Sequence, residues 1–289
     1  MQDTKQSRGT QLRRQLQAET LPVPGVFNAF TARLVEDAGF PAVYVSGAGL
    51  SASRGFPDIG LLTMTEVVTE TRHISQMVEI PVIVDADTGF GDVQQVYRAV
   101  GELEAAGAAG IQLEDQIVAK RCGHLPGKTL IDCHTMCQKI TSAVKAKYDP
   151  NLLIIARTDA RALEGLDGAI ARAKAYRDAG ADAIFPEALE SAQEFETFAE
   201  AVRNPGIIFL ANMTEWGKTP FLTIKEFSQL GYQLVIFPMT LFRLMAKTLE
   251  EVLPEVKKQG TQEAFLDRMQ TRSQLYEVLR YRDYDQHEQ

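Results

Sequence analysis

Five consecutive residues, Lys120-Arg121-Cys122-Gly123-His124, gather two cations, a thiol and an imidazole around one glycine. A helix would scatter these groups around its circumference, and a strand would alternate them across two faces. Just upstream, Gly110-Ile-Gln-Leu-Glu114-Asp115 reads as a buried strand tipped by two carboxylates; just downstream, Pro126 and Gly127 keep the chain irregular. The pentapeptide is therefore expected as a loop over a strand end. There Lys120, Arg121 and His124 would favour the Cys122 thiolate or bind an anionic substrate.

A second group is Asp85 and Asp87. Residues two apart on a strand face the same side, so both carboxylates are expected to converge. Paired carboxylates suit a hard cation, Mg²⁺ or alternatively Mn²⁺, with waters and substrate completing the octahedron. Asp58, Glu114 and Glu187 are the expected outer partners. A zinc site built from Cys122, His124, Cys133, His134 and Cys137 is the rival reading, but their spacing lacks the paired forms zinc sites use. Cys133 and Cys137 read instead as one buried face of a helix starting near Ile131. Arg157, Asn212, Thr214, Thr240 and Arg243 are donors suited to carboxylates. The runs ending near Asn212 and Pro238 have no glycine-rich phosphate cradle after them. The chemistry asks for a small polycarboxylate on a hard divalent ion, beside a thiol.

These residues need a scaffold that brings distant segments to one place. About eight short apolar runs alternate with amphipathic segments: 25–29, 42–46, 81–85, 110–114, 152–156, 183–186, 207–211 and 234–237. Near-continuous apolar runs suit strands covered on both faces. Helical patterns such as 93–106 and 166–179 lie between them, and several end in a glycine cap, as at Gly39, Gly107 and Gly180. Eight such units predict a TIM-type (β/α)8 barrel, with a doubly wound open sheet as the alternative. The chemical residues then fall at the C-terminal strand ends, where barrel active sites lie. Residues 5–19 read as a polar helix lidding one end. From about 241 the chain continues as a helical extension, 241–258, a break at Gly260, then 263–281. No composition break divides residues 1–289, which are expected as one domain.

The net charge of -8 argues against general binding to nucleic acid or an anionic membrane. Three cysteines make no disulfide framework and fit a reducing compartment. The first residues lack the apolar core of a signal peptide, so a cytoplasmic location is expected.

Tyr-Val-Ser-Gly-Ala at 44–48, Asp-Ala-Asp-Thr-Gly-Phe-Gly at 85–91, Lys-Arg-Cys-Gly-His at 120–124 and Asn-Met-Thr-Glu at 212–215 carry a resemblance. Together they resemble the isocitrate lyase and phosphoenolpyruvate mutase superfamily, and within it the branch that cleaves 2-methylisocitrate. The likeness extends nearly end to end, through 237–243 and 269–272. It implies a Mg²⁺-dependent retro-aldol cleavage of a small tricarboxylate, giving pyruvate and succinate, in a homotetramer whose last barrel helix is swapped between subunits. Asp85 and Asp87 would hold the ion and Cys122 would act as general acid. Tyr44, Lys120, Arg121, His124 and Glu114 would assist, with Tyr44 a candidate base. Ser46, Gly47, Ala48, Gly123, Arg157, Glu187, Asn212, Met213, Thr214, Arg243 and Arg272 match substrate-contacting positions. Phe185, Ile236 and Pro238 would shape the corner that admits the methyl group. Isocitrate cleavage, oxaloacetate hydrolysis and 2-alkylmalate cleavage are the alternatives within the superfamily. A scaffold barrel without activity would have lost one of these residues, and none is lost.

Overall fold

The computed structural model describes residues 6–285. Eight parallel strands close into a barrel in sequence order: β1 (Leu21–Val26), β2 (Val43–Val45), β3 (Val82–Asp85), β4 (Gly110–Glu114), β5 (Leu153–Thr158), β6 (Ala183–Pro186), β7 (Ile208–Asn212) and β8 (Leu234–Phe237). The barrel alternative is thus the observed one, and the open sheet is not. Closure is a direct ladder between first and last strands, with Leu21 opposite Leu234 and Pro24 opposite Phe237.

The first strand lies four residues upstream of the expected run. Pro22 and Pro24 disguise it, because proline donates no ladder hydrogen bond. They are tolerated for a positional reason. Successive backbone groups of a strand point to alternate neighbours, and Leu21 N donates to Gln233 O on the β8 side. The two prolines therefore face β2, whose pairing begins only at Gly25 opposite Tyr44. Asn28, placed in that run by the sequence, instead caps the helix Ala29–Asp37 by accepting from Thr31 N.

The strand faces divide the core into two clusters. Inward residues Val23, Tyr44, Ile83, Ile155, Phe185, Leu210 and Ile236 fill the barrel. Outward residues Val45, Val84, Leu113, Ile154 and Phe209 pack against the surrounding helices. The N-terminal helix Arg8–Ala18 behaves as expected of a lid: Leu12 and Leu16 join the interior cluster at the end remote from the strand tips. Arg13 ties it down by pairing with Asp182 at 2.6 Å.

After β8, a helix runs from Thr240 to Gln259 and ends at left-handed Gly260. None of its residues is buried, and Leu244, Leu249 and Leu253 are exposed. The second C-terminal helix is not the continuous one expected. It is a 3-10 segment Glu263–Arg268 and two short helices, Arg272–Val278 and Tyr281–Asp285. Thr271 restarts the chain as a capping box with Gln274, and Arg280 takes a left-handed φ of 52° between the last two pieces. These pieces return to the barrel's own helix Ala29–Asp37, where Arg33 donates to Val278 O and Arg280 pairs with Glu36. No described helix is long and apolar enough to cross a membrane.

β1 and β8 approach so closely that Gly25 has no room for a side chain: a Cβ would sit 2.1 Å from Pro238 O. Gly25→Ala is expected to lose at least about 1–3 kcal/mol by overpacking backbone against backbone. Urea unfolding checks this; an unchanged midpoint would mean the two strands spread freely.

Candidate active site

The alternation that fills the barrel also builds the mouth. Counting by two along the inward face, Tyr44 is followed by Ser46, Ile83 by Asp85, Gln112 by Glu114, Ile155 by Arg157, Phe185 by Glu187 and Leu210 by Asn212. Five of these six strands thus switch from apolar to polar at one level, β4 being polar at both positions, and the polar layer surrounds a cavity of about 270 Å³. Tyr44, Ser46, Ala48, Asp58, Asp85, Lys120, Cys122, Gly123, His124, Arg157, Glu187, Asn212, Thr214 and Arg243 line it. Of the methyl-corner residues, Ile236 and Pro238 line the cavity. Phe185 lies beneath, within the barrel core, under the Arg157 guanidinium at 5.2 Å.

Other expected residues fall elsewhere. Gly47 contributes its backbone, its N–H donating to Asp85 Oδ2 at 3.3 Å. Met213 has outward parity and packs in the helix–sheet core, not the mouth. Arg121 is exposed and outside the cavity lining, because Gln116 grips its backbone from both sides: Arg121 N donates to Gln116 Oε1 and Gln116 Nε2 to Arg121 O. Arg272 is exposed at the start of the helix that packs on Ala29–Asp37, and it does not line the cavity. Cys133 and Cys137 do share a helix, Cys133–Ala146, but are half-buried rather than buried. They stand apart from Cys122 at the mouth, which removes the zinc reading.

Asp85, Asp87 and Glu114 each offer an oxygen within 4.8 Å of the others, the constellation among the described residues that could hold a metal ion. Asp87 lies just past β3 at a φ of 47°, and its N–H donates to Asp85 Oδ1 at 3.0 Å. Gln112 Nε2 donates to the same oxygen at 3.1 Å, while Gln112 Oε1 accepts from Tyr44. Both oxygens of Glu114 are buried with no hydrogen-bond donor, and Oδ1 of Asp87 is buried with only the Lys120 ammonium beside it. Such carboxylates call for a cation, and three hard oxygen donors fit a divalent one. Lys120 partly answers that need, lying 2.8 Å from Asp87 and bonded to Asp58. Desolvation lowers its pKa, but Glu114, Asp87 and Asp58 outweigh this and hold it well above the lysine range.

On the far wall, Arg157 reaches three carboxylates: Asp159 at 2.9 Å, Glu187 at 3.2 Å and Glu114 at 3.5 Å. Burial alone would raise the Glu187 pKa; Arg157, His124 and Asn212 instead bring it down to about 2. His124 Nδ1 accepts from Lys218 N–H at 3.0 Å, which leaves Nε2 to carry the proton toward Glu187 Oε1 at 2.8 Å. His124 thus fastens the cysteine loop to the segments following β6 and β7. Burial pushes the Cys122 thiol up, only partly offset by the His124 backbone N–H. The thiol is therefore the resting form. Tyr44 rests as a phenol, raised well above its ordinary value by burial and by Asp85. Its hydroxyl donates to Gln112, so it does not present itself as a base.

Gln112 and Lys128 lie against the site and are absent from the sequence-derived set. Parity could have found Gln112, which sits two positions from Glu114. Nothing local marks Lys128.

A family model for phosphoenolpyruvate phosphomutase matches residues 12–257. The chain belongs to that family. It is similar to a probable 2-methylisocitrate lyase 1 of Corynebacterium glutamicum, 52% identical over 268 residues, or 92% of this chain and 87% of that one. A 2-methylisocitrate lyase of Aeropyrum pernix is 51% identical over 91% of this chain and 83% of its own. A crystal structure of 2,3-dimethylmalate lyase superposes with a TM-score of 0.91 at 33% identity, covering 97% of this chain and 94% of that one.

Asp87 is raised to about 6, mainly by desolvation, with Lys120 opposing and Asp85 and Asp58 adding to it. A carboxyl raised this way must lose its proton before it can ligate an ion. Divalent-cation affinity is therefore expected to climb between pH 5 and 7, as pH passes through about 6, and then level off. Calorimetric titration at several pH values checks this. A pH-independent affinity would exclude Asp87 as a ligand.

Proposed function

We propose that this protein is a Mg²⁺-dependent carbon–carbon lyase that cleaves 2-methylisocitrate to pyruvate and succinate. The observation that carries the reading is one mouth holding the three-carboxylate cluster, an un-ionised Cys122 and the Arg157–Glu187–Asn212 wall. The identity to 2-methylisocitrate lyases over more than nine-tenths of the chain supports it.

Asp85 and Asp87, with Glu114 behind them, would hold Mg²⁺, which supplies Lewis acidity to the hydroxyl and adjacent carboxylate of the pyruvate-forming half. The chain's residues do the rest. The remaining carboxylates meet donors at Arg243, Thr214, Asn212 and the backbone of Gly47 and Gly123. The substrate hydroxyl gives up its proton to the acidic cluster. The bond between the hydroxyl-bearing carbon and its neighbour breaks, a carbonyl forms on pyruvate, and the electron pair passes to succinate as an enediolate-like anion. Cys122 Sγ delivers the proton that carbon needs. Lys120, Arg157 and the His124 N–H offset charge as the thiol becomes thiolate. Glu187 keeps Arg157 and Asn212 in place. Because the carbanion must be shielded from water, the segment from about 118 to 130 acts as the lid.

Methyl tolerance is assigned to Ile236 and Pro238, two of the apolar members of the lining. One carbon in such a pocket is worth about 1–3 kcal/mol, so selectivity over isocitrate is expected within roughly 10–200-fold.

The enzyme is further proposed to act in the cytoplasm as a homotetramer, with residues 1–289 forming one barrel domain and helix Thr240–Gln259 exchanged between subunits. The wholly unburied length of that helix, with Leu244, Leu249 and Leu253 exposed, supports a covering neighbour.

Pyruvate and glyoxylate release from 2-methylisocitrate and isocitrate, measured side by side with Mg²⁺, tests the function. Pyruvate release is expected to be the faster, and Cys122→Ser is expected to lower kcat by about 10²–10⁴-fold. Faster glyoxylate release would make isocitrate the substrate; cleavage of neither would redirect the reading to oxaloacetate or 2-alkylmalates.

A further inference from the structure

Lys128 follows the cysteine loop and has no role in the chemistry above. Only 2% of its side chain is exposed. Its ammonium donates to the carbonyl oxygen of Gly123 and lies 3.6 Å from Asp159 Oδ1. Asp159 is the carboxylate that also clasps Arg157. A buried ammonium is costly unless paired, so these contacts define where Lys128 must sit.

The peptide it grips is the critical one. The Gly123 carbonyl belongs to the same peptide unit as the His124 N–H, which faces the Cys122 sulfur. The two ends of one planar unit are thus engaged, one by Lys128 and the other by the thiol. Gly123 is also pressed onto the wall: a Cβ there would lie 2.3 Å from Glu187 Cγ and 2.6 Å from Arg157 Nη2. Beyond Cys122, the charged groups facing the thiol are Glu187, Arg157 and Asp58. Lys128 does not itself line the cavity, and its hydrogen bond to the cavity-lining set is to Gly123.

We propose that Lys128 is a positioning residue that keeps the cysteine loop seated by holding the Gly123–His124 peptide against Asp159 and the Arg157 wall. Cys122 is then aimed into the cavity, and the His124 N–H is kept on its sulfur. The seating follows from contacts alone; its catalytic consequence rests on the proposed lyase reading.

Two measurements on Lys128→Met and Lys128→Arg, made on the full chain, separate these. Arg121 is exposed, but its backbone is held by Gln116, so trypsin can cut after it only when the loop lifts. Cleavage after Arg121, identified by mass, is expected to be about 5-fold faster in K128M, at an unchanged urea midpoint and with cutting outside residues 118–130 unchanged. With 2-methylisocitrate, kcat is expected to fall about 10²-fold while KM moves little, since a misplaced acid costs turnover more than binding. K128R, which keeps a cationic donor, is expected to recover most of both. Should K128M not fold, Lys128→Gln carries the same comparison. Wild-type loop cleavage and kcat in the variant would overturn the proposal. So would faster cutting throughout the chain with a lowered urea midpoint, which would make Lys128 merely structural. Faster loop cleavage in K128M, with no turnover even in the wild type, would uphold the seating and count against the lyase reading instead.

Discussion

The mouth of this barrel is organised around the burial of like charge. Asp85, Glu114, Asp159 and Glu187 are all buried at one level, with Asp58 and Asp87 beside them. Carboxylates so placed repel one another and lose hydration, and the cost must be met by cations fixed in the same low-dielectric space. Arg157 meets it on one wall by reaching Asp159, Glu187 and Glu114 together, its guanidinium steadied over the Phe185 ring. Lys120 meets it on the other, between Asp58 and Asp87. The two sides are unequal. Glu187 falls to about 2, while Asp87 rises to about 6 and burial holds Glu114 well above its ordinary value. The under-compensated side is where both Glu114 oxygens lack donors and Asp87 has only Lys120, and its three carboxylates could hold a divalent ion.

The cysteine loop depends on this balance. It brings Lys120 to the acidic cluster and presses Gly123 onto the Arg157 wall, so its two ends answer opposite halves of the electrostatic problem. His124 then bridges to Glu187 and to the backbone of Lys218. The loop is thus held at polar points on both walls of the mouth. Keeping Cys122 protonated fits the same arrangement: burial disfavours its anion, and the carboxylates of Glu187 and Asp58 face the sulfur. The sequence alone suggested cations that favour a thiolate or bind an anionic substrate; Lys120 and His124 instead pair with carboxylates, and Arg121 is exposed outside the cavity lining.

Much of the architecture was legible beforehand. Apolar runs of strand length, alternating with amphipathic segments and glycine caps, specified a closed parallel barrel, because strands buried on both faces have few other arrangements. Where the reading slipped, local chemistry explains it. Pro22 and Pro24 hid β1, since a proline-bearing strand is acceptable only where its missing donors face no partner. The break after Arg268 was hidden because residues 263–281 keep helical composition while Thr271 starts a new cap.

The sequence by itself determined which residues reach the mouth. Strand parity is a property of the chain, and it places Ser46, Asp85, Glu114, Arg157, Glu187 and Asn212 inward without reference to any other segment. It likewise sends Asp115 outward to Thr158 and Tyr176, and Met213 into the helix–sheet core. Only the tertiary structure decided what the loops between strands do. Arg121 and Cys122 are neighbours, yet one is exposed and the other lines the cavity, because Gln116 seizes the backbone between strand and loop. Lys128, a surface residue by composition, is buried because Gly123 and Asp159 lie where its ammonium reaches. Loop side chains obey no period; their positions follow from partners distant in sequence, which meet only when the barrel has closed.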